Sequence, residues 1–469
     1  MKQSLFTRLY DSVAQALDIA VGWHRVPLLI GLAILAGLRN ILRLRNLSGT
    51  YTSKSPYPDT PASDTDNPHR LTTRTVDGSY NDLDIPMMGS VNTRFGRNVP
   101  LRYAYPATDE MILTPSPRSV SLELMTRDTF KPVPFLNLFA AAWVQFMIHD
   151  WFSHGKNQKE NPWKVPLNAD DPWPEHPMTI LRTQHDTTRT PDSDNLPPTY
   201  LNTATHWWDG SQIYGSDADT LAAVRSGKDG KLQIGSDGLL PADPETGIEI
   251  TGVNGNWWIG LDLLHILFTL EHNAICDRLR AEYPSWDDDD LFDHARLVNA
   301  ALMAKIHTID WTPAILNHPT LQVAMNANWW GLATERIYKL FGRISSSEII
   351  SGIPGSPKDH FGVPYSLTEE FVSVYRMHPL LPDDFSFRSL RDDSVIQERT
   401  LPEVADRHAR ELLEQVDISD VLYSFGTMHP GVITLHNYPR HLQYRQEPNG
   451  DILDPVSYTH LTLPTILRV

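Results

Sequence analysis

"FAAAWVQFMIHDWFSHG", residues 139–155, is an apolar run broken by one glutamine, one histidine and one aspartate before its polar end. Its pattern predicts a helix over 137–153. On that helix Gln145 and His149 stand four residues apart and share a face, whereas Asp150 points about 100° away. A His and a Gln on an apolar helix are costly to bury without partners. The open face of a haem iron would use both: the His moves protons on bound oxygen or peroxide, and the Gln hydrogen-bonds it. The plainer alternative is a hydrogen-bonded pair in an ordinary core.

The rest of the composition bounds the choice. The chain has 469 residues, 41% hydrophobic and 21% charged, which suits a globular core. A net charge of −17 argues against a nucleic-acid partner. The single cysteine, Cys276, excludes an intrachain disulfide and a cysteine-rich zinc site, and it fits a reducing compartment. The 19 His and 13 Trp residues invite a search for a cofactor or a large apolar ligand.

Residues 1–49 read as amphipathic helices. Their longest apolar run, Val26 to Leu38, has 13 residues between Arg25 and Arg39, too short for the about 20 needed to span a bilayer. It lacks a secretory cleavage pattern, and Arg39, Arg43 and Arg45 follow. This suits helices lying in a membrane interface, and hence a peripheral protein on the cytoplasmic side that is not secreted. A helix packed on the main domain is the alternative. Residues 50–70 are a Pro/Ser/Asp-rich linker, and a second Pro-rich loop, 161–199, is expected to wrap the surface. Helical patterns cover 261–282, 289–316 and 406–413. "SWDDDD" (285–290) places acidic residues at a helix start, a solvated cap. With few alternating stretches and no repeats, the chain reads as mainly α with few short strands.

Two more stretches carry chemistry. "THWWDGSQIYG" (205–215) offers Thr205, Asp209 and Ser211 as oxygen ligands, with the Trp207 carbonyl beside them. A hard cation such as Ca²⁺ takes such donors, and Asp150 could complete the set. An ordinary Asx-type turn explains the loop equally well. "EEFVSVYRMHPLLPDDF" (369–385) holds Tyr375 and His378, three apart. Helical spacing would stack them a turn apart on one face. His378 could ligate a haem iron, placing the Tyr375 phenol beside the cofactor, where it could become a hydrogen-abstracting radical.

These segments together resemble the animal-type haem peroxidase and cyclooxygenase superfamily, and within it the fatty-acid α-dioxygenases. "QFMIHDW" and "SVYRMHPLLPD" carry the resemblance most specifically. "THWWDGSQIYG", "AKIHTIDWT" (304–312) and the N-terminal "WHRVPLLIGLAIL" add to it. It covers roughly residues 10–455. It implies a mainly α, haem peroxidase-like helical domain over 71–455. It implies His149 as distal histidine, Gln145 as distal amide, His378 as proximal ligand and Tyr375 as radical site. It also implies calcium on Asp150, Thr205, Trp207 (backbone), Asp209 and Ser211, and His307 and Thr312 near the substrate carboxylate. The implied reaction starts with peroxide, which activates the haem to oxidise Tyr375. The tyrosyl radical then removes a hydrogen from a fatty acid's α-carbon, and O₂ adds there. The product is a 2-hydroperoxy fatty acid, which can decarboxylate to an aldehyde one carbon shorter. Fixing the carboxylate selects which carbon meets the Tyr oxygen.

The chain departs from the wider superfamily in two places. Halide-oxidising members carry a distal Arg, and acidic or Met residues bonded to the haem, upstream of an "EHN" segment. Counting back from Glu271-His272-Asn273, those places hold Asn254, Trp257 and Trp258. This implies a non-covalent haem b and weak general peroxidase activity. The family also continues beyond "NYPRHLQYRQEPNGDILD" (437–454). That region would hold the partner of the proximal His, the haem-propionate Arg and the arginines for the substrate carboxylate. "VSYTHLTLPTILRV" (456–469) does not resemble the continuation and is expected to be foreign sequence. Two alternatives stay open: a haem peroxidase or lipid dioxygenase of other regiochemistry, and a non-catalytic haem- or calcium-binding scaffold.

Overall fold

The computed structural model describes residues 5–45, 72–189, 191, 195–356, 365–375 and 377–443. The expected linker at 50–70 and the 456–469 tail lie outside them.

The principal helices are α1 (Leu5–Val21), α2 (Leu28–Arg45), α3 (Phe139–Trp151), α4 (Ile259–Glu282), α5 (Asp288–Lys305), α6 (Pro319–Trp330), α7 (Thr334–Phe341), α8 (Glu369–Val374), α9 (Arg407–Leu413) and α10 (Ile418–Thr427). Helices α3 and α4 follow the expected 137–153 and 261–282 patterns closely, and α5 begins within one residue of the expected 289 start. At the start of α5, Asp287 accepts from the Asp290 amide, and the Asp290 side chain accepts from the Asp287 amide in return. This is the expected acidic cap, and it satisfies two amides that the first turn would leave open.

The core explains the order. Ile259, Leu261, Leu263, Leu264, Ile266 and Phe268 of α4 are buried against Ala142, Phe146 and Met147 of α3, and Val421 and Phe425 of α10 join them. Helix α4 is long and apolar enough to cross a membrane by composition, yet most of its apolar stretch is buried in the protein. A smaller core of Val120, Met125, Val165, Trp173, Met178, Ile180 and Leu442 sits apart from the main one.

The Pro-rich loop is more ordered than its composition suggests. It carries most of a two-stranded antiparallel sheet, β1 (Gln158–Val165) with β2 (Met178–Arg182). The pairing buries Val165, Met178 and Ile180, an apolar set too sparse to stand out among prolines. A second hairpin pairs β3 (Asp384–Arg388) with β4 (Val395–Thr400) and buries Phe385 and Phe387.

Two expectations need correction. Tyr375 and His378 do not share one helical face: α8 ends at Val374, Tyr375 caps it at φ −80° and ψ 54°, and a short 3-10 turn opens at His378. Pro379 supplies a reason: in a continuous α-helix it would have no N–H to donate to the Tyr375 carbonyl four residues earlier, and its ring would clash with that carbonyl. The 289–316 helix is also not uniform. After Lys305 it widens into a π-helical stretch, Ile306–Trp311, before a last turn from Thr312 to Ile315.

Helix α2 packs on the body of the protein. Gly31 lies against Thr320 of α6, and Arg39 reaches Asn328 of α6 at 3.2 Å and Glu348 at 2.7 Å. Leu28, Leu29 and Ile30 of the same helix, and Leu9, Val13 and Ile19 of α1, stay exposed.

Candidate active site

Three separate segments converge. Helix α3 contributes His149, Asp150 and Trp151, the 205–211 loop lies beside its C-terminal end, and the 365–375 segment packs against both. Trp207 stacks on Tyr365 with ring centres 4.0 Å apart, and His206 Nδ1 accepts from the Leu367 amide at 2.9 Å. The Tyr375 ring meets the Trp151 indole edge-on at 5.9 Å.

His149 sits a turn beyond Gln145 on α3. Burial pushes its pKa down to about 4, so the ring is neutral at pH 7. Its Nδ1 is buried without a hydrogen-bond partner among the described residues. A buried polar atom with no partner is unusual, and it fits a histidine whose chemistry needs a group from outside the chain. Gln145 is held firmly: its Oε1 accepts from Trp258 Nε1 at 2.8 Å, and its Nε2 donates to the Asn256 carbonyl at 3.1 Å. One of its two N–H bonds is therefore spent on the 256–258 segment. Asn254 also bonds locally, donating to the Glu249 carbonyl at 3.3 Å.

The candidate calcium donors form one compact group. The Ser211 amide donates to Asp150 Oδ1 at 2.7 Å and the Ser211 hydroxyl donates to the Asp150 carbonyl at 2.9 Å. Thr205 Oγ1 lies 2.9 Å from Asp209 Oδ2 and 3.4 Å from the Trp207 carbonyl. Gly210 makes the turn possible: its φ of +80° is a left-handed value, and a Cβ there would press on the Tyr214 ring at 2.7 Å. Burial, then the nearby Asp209 charge, raises the Asp150 carboxyl well above its usual range; burial also raises Asp209. Arg296 answers part of this charge at 3.5 Å from Asp209. Among the described residues there is no group of three or more His, Cys, Asp or Glu side chains that could hold a metal. The set here has two carboxylates, with hydroxyl and carbonyl oxygens as the other donors, which is oxygen chemistry suited to a hard cation.

His307 is enclosed by indoles. Trp311 stacks on it at 4.9 Å, and Trp151 and Trp208 meet it edge-on at 5.2 Å and 5.4 Å. Burial holds its pKa at about 4. Thr312 donates its hydroxyl proton to the His307 carbonyl at 2.7 Å, so that proton is directed into the backbone. Tyr375 is half-buried, and burial raises its phenol pKa, so the phenol keeps its proton at neutral pH. His378 stacks near Tyr438, ring centres 6.5 Å apart.

Sequence reasoning missed Arg127. Its fully buried guanidinium donates to the Leu381 carbonyl at 2.8 Å, the Pro379 carbonyl at 3.1 Å and the Asn437 carbonyl at 3.0 Å, and pairs with Asp383 at 3.5 Å. It therefore ties the turn that begins at His378 to the 437 segment. Burial lowers its pKa to about 10, which leaves it charged at neutral pH. A second omission is the acid pair Glu249 and Asp262, both buried, with Arg410 3.8 Å from Glu249. No local pattern around any of these residues marks its distant partner.

Comparison with known proteins places this arrangement. The animal haem peroxidase family model matches residues 73–459, and the chain belongs to that family. It is 37% identical over 448 residues to Alpha-dioxygenase PIOX of Nicotiana tabacum, covering 93% of this chain and 67% of the relative. It is 38% identical to Alpha-dioxygenase 2 of Arabidopsis thaliana, covering 93% of this chain and 68% of the relative. Within the peroxidases it therefore falls among the fatty-acid α-dioxygenases. The crystal structure of an Arabidopsis thaliana fatty acid alpha-dioxygenase matches with a TM-score of 0.86 at 34% identity, covering 99% of this chain and 73% of that one. An Oryza sativa fatty acid alpha-dioxygenase variant with palmitic acid matches with a TM-score of 0.84 at 31% identity, covering 98% and 76%.

Proposed function

We propose that this protein is a haem-dependent oxidoreductase that oxygenates fatty acids at the α-carbon, with Tyr375 as the radical-bearing residue. The observation that carries the reading is the shared contact of Tyr375 and His307 with Trp151, at 5.9 Å and 5.2 Å. A carboxylate held by His307 would keep the adjacent carbon on the Tyr375 side of that indole.

His149 and His378 are the residues that would hold and serve the haem, His378 by ligating its iron and His149 as a base. Haem bound there would supply, at the expense of peroxide, the oxidising equivalent for removing a hydrogen atom from the Tyr375 phenol. The phenoxyl oxygen of Tyr375 then takes a hydrogen atom from the α-carbon, forming its O–H bond as the C–H bond breaks. O₂ joins the carbon radical. The resulting peroxyl takes a hydrogen atom back from Tyr375, giving the 2-hydroperoxy acid and restoring the phenoxyl. Loss of CO₂ and water from that product leaves the shortened aldehyde. His149, neutral and buried, accepts and returns the peroxide proton. Gln145, pinned by Trp258 and Asn256, keeps one N–H for the same pocket.

Calcium on Asp150, Thr205, Asp209, Ser211 and the Trp207 carbonyl would hold the loop against α3, next to the distal histidine. The absence of acidic side chains at Asn254, Trp257 and Trp258 supports a non-covalent haem. The exposed apolar residues of α1 and α2, with Leu340 and Phe341 exposed on α7, support peripheral contact with membrane that supplies the fatty acid.

The test is oxygen uptake by haem-loaded protein with palmitate, for wild type and Tyr375→Phe. The variant should keep the wild-type Soret band and lose oxygen uptake. Undiminished uptake would remove Tyr375 from the reaction.

A further inference from the structure

We infer that Trp143 is a positioning residue that fixes His307 as a neutral hydrogen-bond donor toward the fatty-acid carboxylate. This rests on the reading of His307 given above.

Trp143 Nε1 lies 3.2 Å from His307 Nδ1. An indole N–H can only donate, so Nδ1 is the acceptor and the ring proton sits on Nε2. A doubly protonated ring would set N–H against N–H. The bond therefore selects both the neutral state and the tautomer, as a hydrogen bond to one ring nitrogen decides the role of the other. Trp143 has little freedom to abandon it. Its indole is buried and packed against the stacked pair Phe146 and Phe268, at 5.9 Å and 5.8 Å.

The surroundings leave Nε2–H as the donor. Trp311, Trp151 and Trp208 enclose the imidazole without offering it an acceptor. The π-helical turn carries His307 inward, and the Thr312 hydroxyl spends its proton on the His307 carbonyl. A carboxylate arriving here meets one oriented N–H rather than a cation. Recognition then depends on orientation, and an amide that reproduces both hydrogen bonds can replace the imidazole.

The experiment measures oxygen uptake against palmitate concentration with haem-loaded protein. Trp143→Phe keeps the aromatic packing and removes the N–H; KM should rise about fivefold to twentyfold, more than kcat falls. His307→Gln can accept from Trp143 through its amide oxygen and donate through its nitrogen, so its KM should stay within about fivefold of wild type. His307→Phe can do neither, and its KM should rise at least about tenfold. Adding Trp143→Phe to His307→Phe should change KM less than about twofold, because the first substitution acts through the residue the second removes. An unchanged KM in Trp143→Phe, or an effect that persists in the His307→Phe background, overturns the inference. If Trp143→Phe does not fold, the His307 pair decides: Gln no better than Phe overturns it. A wild-type KM in His307→Phe overturns the carboxylate assignment itself, and the inference with it.

Discussion

Replacing Arg127 with Met should loosen the turn that carries His378. The side chain volumes are similar, so the main loss is the guanidinium. Three carbonyls, of Pro379, Leu381 and Asn437, lose a charged donor, and Asp383 loses one of its two arginine partners. Arg440 still reaches Asp383, with its amide at 2.7 Å and its side chain at 3.4 Å, so the carboxylate is not abandoned. Breaking a buried charged network by removing one partner costs about 3–5 kcal/mol. In a protein of this size, with an unfolding entropy of about 1 kcal/mol/K, that corresponds to a melting-temperature loss of about 3–5 °C. Arg127→Lys keeps the charge but not the fork, and should lie between the two. Haem titration followed in the Soret region gives the second readout: Arg127→Met should bind more weakly because the His378 turn is less well held. A variant that melts within about 1 °C of wild type and binds haem equally well would refute the role given to Arg127.

Three further outcomes follow from the same geometry. Asp262 has its carboxyl raised well above the usual range by burial and by Glu249, so the folded state keeps a proton that the unfolded chain releases, and its contribution to stability falls as pH rises above about 4. Asp262→Asn should therefore raise the melting temperature at pH 8 and raise it less at pH 5; a loss at pH 8 contradicts this. Chelator should lower the melting temperature of wild type but leave Asp209→Asn unmoved, since the proposed calcium site loses a carboxylate in the variant; equal responses argue against the site. Deleting residues 1–45 should reduce flotation with liposomes, and equal flotation removes the membrane role of α1 and α2.

Much of the site was legible because its parts are local. Gln145, His149 and Asp150 fall within one helical turn and a half, and Thr205 to Ser211 within one loop, so spacing alone grouped them. For Tyr375 and His378 the apolar pattern suggests one continuous helix, but the Pro379 effect on the backbone outweighs it and the helix stops at Val374. What stayed hidden is tertiary. Trp143 meets His307 across 164 residues and Arg127 meets Asn437 across 310. The π-helical widening at 306–311 leaves apolar spacing almost unchanged. The β1–β2 hairpin lies in a stretch whose prolines and charges mask three buried apolar residues.

The central claim is oxygenation at the α-carbon. The most direct measurement is mass spectrometry of the product formed from palmitate under ¹⁸O₂ by haem-loaded protein, trapped by reduction before decarboxylation. The account predicts one labelled oxygen on C2 of the acid. Label on any other carbon, or an unlabelled fatty acid with peroxide consumed, would contradict it.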